Sequence, residues 1–254
     1  MSGDERATVQ LFGPSMLALV KAIPRIEEVL GRAMVLVGGL AVLSRLGSAY
    51  RVTSDVDTAN RRADGEPAQL DVLLAHGAKA VDAAGALIST PDGDVRVDVL
   101  EISASQLADL PNDPTDRLYL LSHDWAMVTA SPLRIQVSDG RAIVAEASVA
   151  VARPGPLVAT KLQALPNRGS AKEATDLLDI VRLTLDPRVG TMVRTQFAEA
   201  NSQLRADALL HVRRWFADRA DRSLRLIRST PEGRSIDIDQ LTLISELLIA
   251  SMSG

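Results

Sequence analysis

Three aspartates and a pair of glycines are the residues of this 254-residue chain whose types and spacing point to chemistry. Asp55 and Asp57 flank Val56. In an extended strand successive side chains face opposite ways, so the two carboxylates share one side. Asp98 lies in a second alternating run, V-R-V-D-V-L, with Val95, Val97 and Val99 on one face and Arg96 and Asp98 on the other. If the two strands are neighbours, three carboxylates converge. Held together as bare anions they are costly, and a divalent cation relieves them; hard oxygen ligands suit Mg²⁺. Carboxylates around Mg²⁺ make a phosphoryl-transfer site, where the metal clamps phosphates and lowers the pKa of an attacking hydroxyl. Gly38-Gly39 leave room for a triphosphate close to the backbone, with N–H groups as donors. Each feature also has a plainer reading: an exposed D-x-D strand, an Asp98 paired with Arg96, a tight strand-to-helix connection.

Composition narrows the field. The chain has no cysteine, which excludes disulfides, thiolate zinc sites, iron–sulfur clusters and cysteine nucleophiles. Its three histidines, His76, His123 and His211, lie far apart and form no H-x-x-x-H or H-E-x-x-H spacing, so metal chemistry falls to carboxylates. At 46% hydrophobic and 24% charged the chain can bury a core. A net charge of -4 argues against indiscriminate nucleic-acid or anionic-membrane binding. The N-terminus is acidic and polar, and the longest apolar run, Met34 to Leu43, is about half a membrane span, so the expected location is cytoplasmic, with no membrane partner.

The elements that must position these residues are of mixed type up to about Val151 and helical beyond it. Pro14-Ser15 opens an amphipathic helix to about Leu30, which Pro24 must kink or divide. MVLVGG reads as a strand running into the glycines and a short helix. Further strands are expected at Val52–Asn60, Leu70–Leu74, Ala86–Thr90 and Val95–Ile102, the last two joined by a turn at 91–94. Leu133–Val137 and Ala142–Val151 form a second hairpin. After Arg153-Pro-Gly-Pro, Ser170 with Glu173 reads as a capping box opening a helix that Pro187 ends. One long helix from about Thr191 to Arg228 and a last one over Ile238–Met252 complete the chain. The expected architecture is an α/β (α+β) domain over 1–152, a mixed sheet flanked by helices with the site at its edge, and a helical domain over 153–254 closing a nucleotide cleft.

The run Gly-Gly, then R-x-T-x-D-x-D (Arg51, Thr53, Asp55, Asp57), then an isolated Asp98 in a short strand, resembles the nucleotidyltransferase superfamily of polymerase-β-like fold. Lys161 in A-T-K-L-Q-A-L, followed by Arg168, Lys172 and Asp176 in R-G-S-A-K-E-A-T-D-L, is similar to the third and fourth motifs of its AbiEii/MenT-type toxin branch. The resemblance covers roughly residues 34–185. It implies that Asp55 and Asp57 bind Mg²⁺ with help from Asp98, that Gly38, Gly39, Thr53, Lys161 and Arg168 hold a nucleoside triphosphate, and that Asp176 completes the catalytic set. The chain departs from the pattern at Leu40, where members often carry a small hydroxyl residue, and at Glu173, where many carry Asp.

The activity so implied is transfer of a nucleoside monophosphate to an acceptor with release of pyrophosphate. Within the toxin branch the acceptor is the 3′ end of a tRNA, and an antitoxin protein holds the activity back. An arginine-rich stretch, 205–234, reads either as a solvated helix face partly neutralised by Asp218 and Asp221 or as a phosphate contact for RNA: at about 100° per residue Arg214, Arg222, Arg225 and Arg228 share one arc opposite Val212, Trp215, Phe216, Leu226 and Ile227. The alternatives are transfer to a small molecule or protein side chain, and a nucleotide-binding or interaction protein without turnover.

Overall fold

A computed structural model describes residues 7–253. The elements follow as β1 (Thr8–Phe12), α1 (Pro14–Leu30), β2 (Val35–Val37), α2 (Gly38–Leu46), β3 (Asp55–Arg62), α3 (Gln69–Ala75), β4 (Lys79–Ala80), β5 (Gly85–Thr90) and β6 (Gly93–Ser103). Then come α4 (Ala104–Ala108), α5 (Pro114–Thr129), β7 (Ser131–Ser138) and β8 (Ile143–Val151). Six helices close the chain: α6 (Pro154–Ala164), α7 (Ser170–Leu185), α8 (Val189–Glu199), α9 (Ser202–Val212), α10 (Ala220–Arg228) and α11 (Ile238–Met252). The fold is mixed α/β. Two compact units are present, one of residues 1–108 with 124–153, the other of 109–123 with 154–254.

The first unit is built on one eight-stranded sheet in the order β1-β7-β8-β2-β3-β6-β5-β4. β3 and β6 pair in parallel; β2 lies antiparallel to β3, and β5 antiparallel to β6. Alternation sets which face is buried: Val56 and Val97 are fully buried while Asp55, Asp57, Arg96 and Asp98 are only partly so. Each fully buried valine or leucine contributes about 1.5–3 kcal/mol through water exclusion. Leu36, Leu40, Leu43 and Ile135 add to this core.

α2 is fastened at its C-terminal end by a half-buried arginine. Arg45 donates from Nε to the Ala152 carbonyl (2.9 Å) and from Nη2 to the Ser131 hydroxyl (2.8 Å) and the Val151 carbonyl (2.5 Å). Burial, helped by the neighbouring charge of Arg153, lowers its guanidinium to about 10.

Several local expectations change. Leu70–Leu74 is helical, not extended: α3 buries Gln69 and Leu73, four residues apart on one face. Pro24 does not divide α1, and its ring lies on the solvent side, where a missing hydrogen bond is cheapest. The Ser170 capping box is absent, because Gly169 is the cap and Ser170 is already helical. Glu173 is instead buried against Arg222. The long helix over 191–228 is three pieces. Asn201 starts α9 by accepting from the N–H groups of Gln203 and Leu204, and a π-helical turn over Arg213–Asp218 separates α9 from α10.

In the second unit Arg117 grips the buried Asp207 through two 2.7 Å bonds, and α11 opens on a reciprocal Asp237–Gln240 capping box. Among the described residues no helix is long and apolar enough to cross a membrane.

Candidate active site

Strand register brings the first group of residues together. In the parallel β3–β6 pair Asp55 lies opposite Arg96 and Asp57 opposite Asp98. Registered partners face the same side, so all four polar side chains share it. Asp55, Asp57 and Asp98 each offer a carboxylate oxygen, and these oxygens lie within 4.8 Å of one another. Oxygens bound to Mg²⁺ at about 2.1 Å in an octahedron sit about 3 Å apart when adjacent and about 4.2 Å when opposite. Side-chain rotation that draws the three oxygens inward from that separation brings them round one divalent ion, and the all-oxygen donor set is the type such an ion takes.

The glycines explain how the chain approaches this group. β2 ends at Val37, opposite Asp57, and α2 begins at once with Gly38. Gly38 has φ +64°, a left-handed conformation, and a Cβ there would overlap the Asp57 carboxylate. The N–H of Gly39 donates to Asp57 Oδ2 at 3.3 Å, and no side chain of the preceding residue caps this helix. Asp57 thus sits at the positive end of α2, where a carboxylate is stabilised by about 0.3–1 kcal/mol. A Cβ on Gly39 would lie 2.6 Å from the Thr53 hydroxyl. That hydroxyl donates to Asp55 Oδ1 at 3.1 Å, so Thr53 orients a carboxylate.

Asp98 has a cationic neighbour on its own strand. Arg96 donates from Nε to Asp98 Oδ1 (2.7 Å) and from Nη2 to Asp82 Oδ2 (2.7 Å). These bonds, to Asp98 first and Asp82 second, raise the Arg96 guanidinium above its ordinary value. The two readings of Asp98, partner of Arg96 and third carboxylate of a cluster, are both true of its position.

The remaining predicted residues, Lys161, Arg168 and Asp176, gather separately in the helical unit. Lys161 Nζ contacts Asp176 Oδ1 (2.5 Å) and Asp179 Oδ2 (2.7 Å), while Arg168 Nε stands 3.2 Å from Asp176 Oδ2. Lys161, Asp176 and Asp179 are all buried. The anion that a lysine in an apolar stretch requires is supplied by α7. Asp179 escaped the sequence reading, although its i+3 spacing from Asp176 puts both on one helix face. Asp82 and Gly85 carry no pattern that marks them.

The arginine-rich stretch forms a cluster on one indole. The guanidinium carbons of Arg214, Arg219 and Arg222 stand 5.2, 5.5 and 5.5 Å from the Trp215 ring centre. Of these, Arg222 is held in two bonds by Glu173; Arg228, outside the cluster, is turned to the Ile236 carbonyl. Arg213, Arg219 and Arg225 are exposed. His123 is structural: burial lowers its imidazole to about 4, and its Nδ1–H donates to the Tyr119 carbonyl at 2.7 Å.

Comparison with known family models and with curated proteins gives no match. Among solved structures the chain is similar to one described as the crystal structure of an antigenic nucleotidyltransferase-like protein from Paracoccidioides brasiliensis, at 16% identity over 78% of this chain and 94% of that chain, with a TM-score of 0.42.

Proposed function

We propose that the chain is a Mg²⁺-dependent nucleotidyltransferase whose metal is held by Asp55, Asp57 and Asp98. The observation that carries this reading is the convergence of those three carboxylates within 4.8 Å beside the N-terminus of α2. A bound Mg²⁺ supplies charge neutralisation on the triphosphate and a lowered pKa for the attacking hydroxyl. Asp55, oriented by Thr53, and Asp57, fixed by Gly39, hold the ion; Gly38 and Gly39 let the start of α2 lie against those side chains, so that the triphosphate meets the helix N-terminus through the ion. Asp98 takes the proton of the acceptor hydroxyl. The new bond joins the acceptor oxygen to the α-phosphorus, the α–β bridging bond breaks, and pyrophosphate leaves. In the resembled family Lys161, Arg168 and Asp176 also serve the nucleotide. Each already has a partner here, so that role exchanges an ion pair for a phosphate.

For the acceptor we favour RNA, and within the resembled toxin branch the 3′ end of a tRNA, with an antitoxin protein as partner. The exposed Arg213, Arg219 and Arg225 of this stretch support it, because phosphate contacts by arginine are the main source of nucleic-acid affinity. The test is incubation of nucleoside triphosphates labelled at the α-phosphate with total tRNA and Mg²⁺. Labelled RNA is expected from wild type and none from Asp55→Ala; equal labelling by the two, or none by wild type, contradicts the reading. A second reading, nucleotide binding without turnover, draws on the Arg96–Asp98 pair. Mg²⁺-dependent thermal stabilisation by nucleotide without product selects it.

A further inference from the structure

The three site carboxylates share a sheet face with one arginine, Arg96, whose guanidinium stands between two acids of different character. Asp98 has a side chain 14% exposed, Asp82 one that is 50% exposed, and Arg96 at 31% bridges them with two 2.7 Å bonds. Asp82 is prepared for its part. Its Oδ1 accepts the Ala84 N–H at 3.1 Å, leaving Oδ2 for Arg96. Those bonds, the Ala84 one foremost, hold its carboxyl below the usual range, so it stays ionised. The space for this network comes from Gly85, which lies opposite Asp98 on β5. A Cβ on Gly85 would stand 2.6 Å from Asp98 Oδ1, 3.0 Å from Arg96 Nη2 and 3.1 Å from Asp82 Oδ1. Gly85 does not have the positive φ that would itself favour glycine, so close approach is the reason for its lack of a side chain.

We propose that Arg96 is the resident counter-cation of the carboxylate group, and that Asp82 is the anchor that retains it when a divalent ion takes Asp98. This rests on the metal-site reading above. Without an ion, a partly buried carboxylate cluster needs a positive charge, and Arg96 supplies one. With an ion in place the same guanidinium becomes a like charge beside it, and only an outer acid keeps it from competing. Arg96 is therefore a positioning residue that sets metal affinity, with Asp82 opposing it.

The two residues must act with opposite sign, which a purely structural ion pair does not require. The probe is Mn²⁺ titrated into the full chain, with free Mn²⁺ read by electron paramagnetic resonance and folding checked by circular dichroism. Arg96→Gln is expected to tighten Mn²⁺ binding roughly tenfold, as removal of a neighbouring like charge does. Asp82→Asn is expected to weaken it several-fold, and Arg96→Lys, which keeps the charge, to return affinity toward wild type. Tighter binding by Arg96→Gln with weaker binding by Asp82→Asn supports the proposal. Saturable Mn²⁺ binding by wild type that neither variant alters, or that both shift the same way, overturns the counter-cation role and leaves the metal site standing. Absence of saturable binding in wild type, with Asp57→Asn indistinguishable from it, overturns both.

Discussion

Lys161→Ala tests whether the buried charge group of the helical unit is a structural element. Its ammonium lies 2.5 and 2.7 Å from two carboxylates, with side chains 9%, 8% and 0% exposed for Lys161, Asp176 and Asp179. At an effective dielectric of about 20, a unit pair at such a distance attracts by about 6 kcal/mol. Desolvation of the buried charges offsets much of that gain. What truncation exposes is the remaining penalty: Asp179, at 0% exposure, left without this cation, for which about 3–5 kcal/mol is the usual cost. A loss of that size lowers the melting temperature by roughly 10 °C in a protein of this length. The assay is urea unfolding followed by the fluorescence of Trp215, which lies in the same unit, in a Trp125→Phe background. The double variant Lys161→Met with Asp179→Leu removes the more buried of the two pairs and leaves Asp176 to Arg168, so it should recover part of the loss, since apolar replacement of a buried pair is often neutral. A single-variant loss below about 0.5 kcal/mol, the range of an ordinary surface substitution, refutes the structural role.

Gly38→Ala is expected to cost about 2 kcal/mol or more in thermal or urea unfolding and to abolish Mn²⁺ binding, since a Cβ meets both an unfavourable φ of +64° and the Asp57 carboxylate. Burial of His123 makes stability pH-dependent: with a folded value of about 4 against an ordinary 6.5, the unfolded chain takes up a proton in that window and the folded chain does not. Stability therefore falls as pH drops from about 6.5 to 4, by on the order of 3 kcal/mol in total, and levels off below; His123→Gln flattens this dependence in urea titrations across pH. If the exposed arginines carry RNA, Arg219→Ala with Arg225→Ala weakens tRNA binding at low salt and reduces the slope of log K against log salt by about 2 in gel-shift titrations.

The site carboxylates were legible in the sequence because strand alternation is a period that residues such as Val56, Val95, Val97 and Val99 report directly. Pairing of β3 with β6 was not, since register between distant strands depends on the whole sheet order. Arg96 was visible as the same-face neighbour of Asp98, whereas Asp82 and Gly85 come from loop and strand geometry that no periodicity encodes. The short apolar run at 70–74 could not be told from a strand by pattern alone, and the helix won through burial of Gln69 and Leu73. β1 was missed because only Leu11 of its five residues is buried. Asn201-Ser202 was a start signal inside the span expected as one long helix, overshadowed by the helical periodicity on either side.

The most direct test of nucleotidyl transfer is to run parallel reactions with nucleoside triphosphate labelled at the α- or the γ-phosphate, with Mg²⁺ and RNA, for wild type and Asp57→Asn. Transfer through the Asp55–Asp57–Asp98 group places the α label on the acceptor and the γ label in pyrophosphate, and both products vanish in the variant. A γ label on the acceptor, a γ label released as inorganic phosphate, or products that persist without the Asp57 carboxylate contradict it.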